Sequence, residues 1–188
     1  MAYMLRSARY LSHDVLREAV QKGDTVIDAT MGNGHDTLFL CELVGENGKV
    51  IAFDVQEAAV ESTGKRLTEA GVMDRATLYC RGHEHMDEAG VTDVSAIVFN
   101  LGWLPGGDKS VTTLWETTKI ALEKALTLLK QHGVLLLCAY PGHAEGDRER
   151  SEVMNFLASL PPQRYNVLHQ RFINAGPGAP ENFVIQKQ

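Results

Sequence analysis

Val26-Ile27-Asp28-Ala29-Thr30-Met31-Gly32-Asn33-Gly34-His35-Asp36-Thr37 is a short apolar run, then a glycine turn, then a polar stretch suited to start a helix. The next apolar run, Lys49-Val50-Ile51-Ala52-Phe53-Asp54, ends on a carboxylate. A glycine turn followed about 20 residues later by an acid at a strand end is how a βαβ unit holds a nucleoside. The turn lets backbone approach the ligand, and the acid accepts the ribose hydroxyls. A dinucleotide turn needs G-x-G-x-x-G/A so that a helix N-terminus can meet a pyrophosphate. Here Gly32-Asn33-Gly34 is followed by His35-Asp36-Thr37, without the third glycine and with an acid where the pyrophosphate would sit. A carboxylate suits a ligand that carries an ammonium group instead. S-adenosylmethionine (SAM) has one, plus a sulfonium and no phosphate, so the turn predicts a SAM-dependent methyltransferase.

The totals agree with that class. A chain of 188 residues, 44% hydrophobic and 22% charged, fits one globular domain over residues 1–188. No apolar run is long enough for a transmembrane helix, and Met1 to Arg6 lacks the layout of a signal peptide. Cys41, Cys80 and Cys138 are odd in number and set in apolar surroundings, which predicts buried thiols and a cytoplasmic location rather than disulfides or zinc. The net charge of −6 weighs against a uniformly basic nucleic-acid binder but leaves room for a local basic face. Arg6, Arg9, Arg17 and Lys22 form one candidate face, and Arg164, His169 and Arg171 another.

Strand-like and helix-like patterns alternate along the chain, the signature of a parallel α/β sheet. Helices are expected from a cap at Ser12 to Val20, from Asp36 to Val44, from Glu57 to Ala70, from Thr112 to Gln131 and from Asp147 to Leu160. In the fourth of these, Leu114, Ile120, Ala121, Leu122, Ala125, Leu128 and Leu129 are available for the core side. Strands are expected at Thr25–Thr30, up to Asp54, at Thr77–Cys80, Val94–Asn100 and Gly133–Tyr140, then near Tyr165–Phe172 and Asn182–Lys187. The turn between the last two is too short for a crossover helix, so they should pair antiparallel. The expected fold is Rossmann-like α/β: a mostly parallel seven-stranded sheet with helices on both faces and a C-terminal antiparallel hairpin.

Candidate cofactor residues are Asp28, Gly32, Asn33, Gly34 and Asp36 at the turn, Asp54 and Gln56 after the second strand, and His83 after the third. Asn33 and Asp36 would face the methionine end of SAM, Asp54 the ribose, Gln56 the adenine, and His83 the adenine edge or the ribose. His83 and His85 would share a face if on a strand, but no third ligand stands at a telling spacing, so no metal site is expected. Asn100-Leu101-Gly102-Trp103-Leu104-Pro105-Gly106-Gly107-Asp108-Lys109 begins where the central strand ends. Asn100 is neutral and can accept from an amine without ion-pairing its protonated form. Methyl transfer to nitrogen needs that free lone pair. Trp103 offers a face for a nucleobase. Tyr140 and His143, after the fifth strand, stand on the same sheet edge, where His143 could relay a proton.

Together, Asp28 to Thr37 and Phe99 to Lys109 resemble the small bacterial methyltransferases long labelled rRNA methylases, now associated with tRNA 5-aminomethyl-2-thiouridine methylation (the MnmM/YtqB type). The resemblance covers nearly the whole chain. It implies transfer of methyl from SAM to the aminomethyl nitrogen of 5-aminomethyl-(2-thio)uridine at tRNA wobble position 34. It also implies Asn100 and Trp103 beside the acceptor and the tRNA anticodon region as partner; on such a substrate Arg6, Arg9 or Lys109 would meet phosphates. The stretch Ala175 to Asn182 is longer and richer in glycine than the family pattern, which bears on whether the hairpin serves dimer contact, giving a homodimer, or RNA docking. The alternatives are an rRNA or small-amine methyltransferase of the same fold, a nicotinamide dinucleotide oxidoreductase, and a SAM-binding module without catalysis.

Overall fold

A computed structural model describes residues 7–188. Arg6, one of the candidate phosphate contacts, lies outside them. Five helices, α1 (Ala8–Ala19), α2 (His35–Val44), α3 (Glu57–Glu69), α4 (Trp115–Leu128) and α5 (Ala144–Ala158), surround one sheet. Its strands are β1 (Thr25–Asp28), β2 (Lys49–Asp54), β3 (Ala76–Cys80), β4 (Val94–Leu101), β5 (Leu129–Ala139), β6 (Tyr165–Gln170) and β7 (Glu181–Lys187). They lie in the order β3-β2-β1-β4-β5-β7-β6. The first five are parallel, and β7 runs antiparallel to both β5 and β6, as the short final turn requires.

Side chains alternate across the sheet, which divides the core in two. Ile27, Ile51, Phe53, Ile97, Phe99, Leu135 and Leu137 pack toward α4 and α5. Val26, Val50, Ala96, Val98, Val134 and Leu136 pack toward α1, α2 and α3. Buried on both faces, the central strands are apolar almost throughout. Strand order reverses between β1 and β4: the chain leaves β1 for β2 on one side and reaches β4 on the other. That reversal opens a crevice at the strands' C-terminal ends.

Several sequence expectations shift. Helix α1 begins earlier, with Ser7 at its N-cap, and Ser12 sits inside it with Oγ donating to Ala8 O (3.2 Å). In α4 the buried positions Thr118, Ala121, Leu122, Ala125 and Leu126 follow helical spacing, which puts Ile120 on the opposite, half-exposed side. Leu114, at the N-cap in extended backbone, is also half-exposed, and Leu129 already belongs to β5. His83–Ala89 is a 3-10 helix, so His83 and His85 do not share a strand face. Cys41 and Cys138 are buried free thiols, whereas Cys80 at the end of β3 is exposed. The C-terminal hairpin presents Leu168 and Ile173 to solvent. Among the described residues no helix is long and apolar enough to cross a membrane, and no group of three or more metal-ligating side chains converges.

The division of α4 has a measurable consequence. Leu122→Ala should cost about 2–5 kcal/mol in urea unfolding, because it leaves a cavity under the sheet. Ile120→Ala should cost less than about 1 kcal/mol. Equal losses would contradict this placement of the helix.

Candidate active site

The crevice holds two adjoining chambers, about 280 Å³ and 470 Å³, on the scale of small-molecule sites. Thr30, Gly32, Asn100, Gly102, Trp103 and Pro105 border both. Asp54, Gln56 and His83 line the first chamber only, and Asn33, Asp36, Arg9 and Tyr140 the second only.

The glycine turn is built as its sequence suggests. Gly32 (φ 50°) and Gly34 (φ 77°) both take left-handed backbone, where a side chain is strained. A Cβ on Gly34 would also come within 2.9 Å of the Thr63 Cα, so α3 packs directly on the turn. Asp54 closes the turn against β2: Gly32 N–H donates to its Oδ2 and Gln56 N–H to its Oδ1, each at 3.0 Å. Burial raises the Asp54 carboxyl above its usual range, while these backbone donors oppose the rise. Each oxygen keeps lone pairs free for a ligand's hydroxyls.

His83 is buried, with its ring edge against Phe99. Burial pushes its pKa down, leaving a neutral imidazole. The buried Nε2 has no protein hydrogen-bond partner, on a residue that lines the first chamber, so it is open to a ligand.

Asp28 corrects an expectation. It is fully buried beneath the turn and lines neither chamber. Thr37 Oγ1 donates to its Oδ2 (2.7 Å) and Thr30 N–H to its Oδ1 (3.2 Å), so it braces the turn rather than touching a ligand. Burial first, and then the charge of Asp36, push its carboxyl up to about 7. Gly34 likewise shapes the turn without lining a chamber.

Asp36 is the hub of the second chamber. His13 Nε2 (2.8 Å) and Arg9 Nε (3.1 Å) donate to its Oδ1, and Asn100 Nδ2 (2.9 Å) donates to its Oδ2. Burial alone would raise its pKa, but the His13 and Asn100 bonds and the Arg9 charge hold it below the usual value. A carboxylate only accepts, so it forces the Asn100 amide to turn its NH2 inward. Asn100 Oδ1 is then the free end. Thr30 Oγ1 accepts from the Asn100 backbone N–H (2.7 Å), which pins the residue to the turn. Asn33 donates to Pro105 O (3.1 Å) and accepts from Ser62 Oγ (3.4 Å), tying the loop after β4 to the turn.

That loop is clamped at its other end. Trp103 bridges Thr112, and Thr113 N–H donates to Gly102 O (3.1 Å). Thr113 and Thr118 hydroxyls both donate at 2.6 Å to the buried Glu149 of α5. The Trp103 ring lies tilted against His143 (4.5 Å between centroids), with Lys109 Nζ 5.4 Å from its centre. His143 is engaged as the N-cap of α5, its Nδ1 accepting from Gly146 N–H, which removes that nitrogen from any proton relay.

The basic faces sort themselves by partner. Arg17 pairs with Asp14, Lys22 donates to Glu42 O, and Arg150, His169 and Arg171 converge on Glu181. Arg9 remains beside the second chamber. Arg9 and His13 lie 27 and 23 residues from Asp36, and no local motif announces their part in the site. The one available signal is a histidine on the buried stripe of α1.

The Asp28 environment sets a pH dependence. Its folded pKa is raised, so its contribution to stability is full below the ordinary value of 3.8 and is lost as pH rises through about 7. Asp28→Asn should therefore flatten the fall in unfolding free energy between about pH 4 and about pH 7. An unchanged slope in the variant would show that Asp28 is not the buried titrating group.

Residues 50–186 match the family model described as "Putative rRNA methylase". A chloroplastic tRNA (mnm(5)s(2)U34)-methyltransferase from Arabidopsis thaliana is 41% identical over 166 residues, covering 83% of this chain. The chain spans 61% of the length of that relative. The crystal structure of a putative rRNA-methylase from Clostridium thermocellum superposes with a TM-score of 0.97 at 41% identity, covering 99% of this chain and all of that one. A putative methyltransferase from Streptococcus mutans, solved in complex with S-adenosylhomocysteine (SAH), superposes at 0.90 with 36% identity, covering 98% and 100%. With its Rossmann-like sheet, its glycine turn and the match over most of its length, the chain belongs to the rRNA methylase family.

Proposed function

We propose that the chain is a SAM-dependent N-methyltransferase acting on the aminomethyl nitrogen of 5-aminomethyl-(2-thio)uridine at tRNA wobble position 34, in the cytoplasm. The observation that carries the reading is the Asp36–Asn100 bond. It presents a neutral carbonyl oxygen, Asn100 Oδ1, at the wall shared by the two chambers. Such an oxygen accepts one N–H of an amine and leaves the nitrogen lone pair free. A carboxylate there would favour the protonated, unreactive form.

The residues present fit SAM. In the first chamber, Asp54 keeps lone pairs for ribose hydroxyls, Gln56 borders the adenine side, and His83 offers a buried, unpaired Nε2, whereas Asn33 and Asp36, expected at the methionine end, line the second chamber instead. The SAH-bound Streptococcus mutans neighbour and the Arabidopsis relative's printed activity support the same cofactor and substrate class. SAM supplies an electrophilic methyl group on a sulfonium, so the protein's task is alignment of donor and acceptor. A nicotinamide dinucleotide fits poorly: Asp36 stands in the first turn of α2, where its pyrophosphate would sit. Trp103 forms one wall for the nucleobase, and Arg9 and Lys109 stand beside the chambers, where phosphates of the anticodon region would pass.

The test is transfer of radiolabelled methyl from SAM into tRNA from a strain lacking this protein, followed by nucleoside mass spectrometry. A methylaminomethyl-thiouridine peak is the expected result. SAH binding without label in tRNA would refute the tRNA reading and move the acceptor to rRNA or a small amine. Asp54→Ala should weaken SAM binding by at least about 100-fold, the loss expected when a partly buried charged acceptor of two hydroxyls is removed. Asn100→Ala should leave SAM affinity within a few-fold and lower turnover by about 100-fold or more. Loss of SAM binding in Asn100→Ala, or full turnover, would overturn these roles.

A further inference from the structure

The βαβ core needs no helix before β1, yet α1 places Arg9 in the second chamber's wall and His13 behind it, on Asp36. They differ in what holds them. Arg9 has a long, 42% exposed side chain whose single bond to Asp36 competes with water. His13 is buried, with 10% of its side chain exposed, and its ring is stacked on Phe39 of α2 at 3.9 Å and 6°. The Arg17 guanidinium also lies 5.1 Å from that Phe39 ring. His13 is thus fixed in orientation before it meets Asp36, and Nε2 must carry the proton because the carboxylate oxygen 2.8 Å away only accepts. A rigid donor costs little further conformational entropy when its bond forms.

From this we infer that His13 is a positioning residue for the acceptor: its Nε2–H fixes the Asp36 carboxylate, which fixes the Asn100 amide with Oδ1 free toward the chambers. The chain His13–Asp36–Asn100 runs from α1 through α2 to β4 in two bonds of 2.8 and 2.9 Å. Without the imidazole, Asp36 keeps only the exposed Arg9 on Oδ1 and gains freedom to rotate. The Asn100 amide then loses the constraint that decides which end faces the acceptor. Helix α1 is by this account part of the acceptor site rather than a cover for the sheet, and the inference rests on the amine reading proposed above.

Two variants separate positioning from packing. His13→Leu keeps an apolar body against Phe39 but has no donor. His13→Gln restores an N–H at comparable reach. SAH affinity by calorimetry should stay within about twofold in both, which also reports folding, because neither touches the first chamber. Turnover of undermodified tRNA should fall on the order of 10- to 100-fold in His13→Leu, mainly in kcat, and return to within a few-fold of wild type in His13→Gln. Full turnover in His13→Leu, or equal impairment in both variants, would overturn the inference.

A second readout needs no acceptor. The Asn100 side-chain amide resonances should shift and lose solvent protection in His13→Leu and hold in His13→Gln. Unchanged resonances in His13→Leu would likewise overturn it. If the wild-type protein labels no tRNA, the substrate reading is what fails, and the amide resonances alone decide the role of His13.

Discussion

The Asp36 carboxylate is the joint of this molecule. Three donors reach it from two elements outside its own helix, at sequence separations of 23, 27 and 64 residues. A buried carboxylate is tolerated only when its lone pairs are answered, so each donor secures the others' reason to be there. Because the group can accept and never donate while ionised, it also sets the direction of every bond around it. Its field reaches Asp28 beneath the turn, which sits protonated more readily as a result. One charge thereby links α1 to α2 and orients the polar end of β4.

Topology brings these groups together. The reversal of strand order between β1 and β4 places the turn after β1, the end of β2 and the loop after β4 around one crevice. The loop from Gly102 to Leu114 then divides the crevice into two chambers. It is held on one side by Asn33 through Pro105 and on the other by the buried Glu149 through Thr113. Under the proposed function, one chamber would take the cofactor and the other the acceptor, with both reactants ordered across the wall that Asn100 and Trp103 share.

The sequence made the parallel core and the glycine turn with Asp54 readable because both are local. Apolar strands announce themselves by run length, and Gly32-Asn33-Gly34 with Asp54 announces the turn by spacing. What it hid depends on contacts made at long range. Asp28 looked like a ligand residue because it adjoins the turn, but only the fold shows Thr37 and Thr30 occupying it and no surface left. Ile120 looked apolar enough for the core, and its place on the outer side of α4 follows from a helical phase set by Thr118 and Leu122. Arg9 and His13 carry no motif at all. Their role exists only once α1 docks against α2 and β4. His143 was readable as a strand-end histidine but not as a helix cap, since capping depends on where α5 starts.

The most direct test of the account is a crystal structure of the chain with S-adenosylhomocysteine. The account predicts ribose hydroxyls on Asp54, the adenine side against Gln56 and His83, and the sulfur directed at the wall shared with Asn100 and Trp103. A ligand in the first chamber whose sulfur points away from Asn100, or one that leaves Asp54 without a hydroxyl, would contradict the two-chamber account.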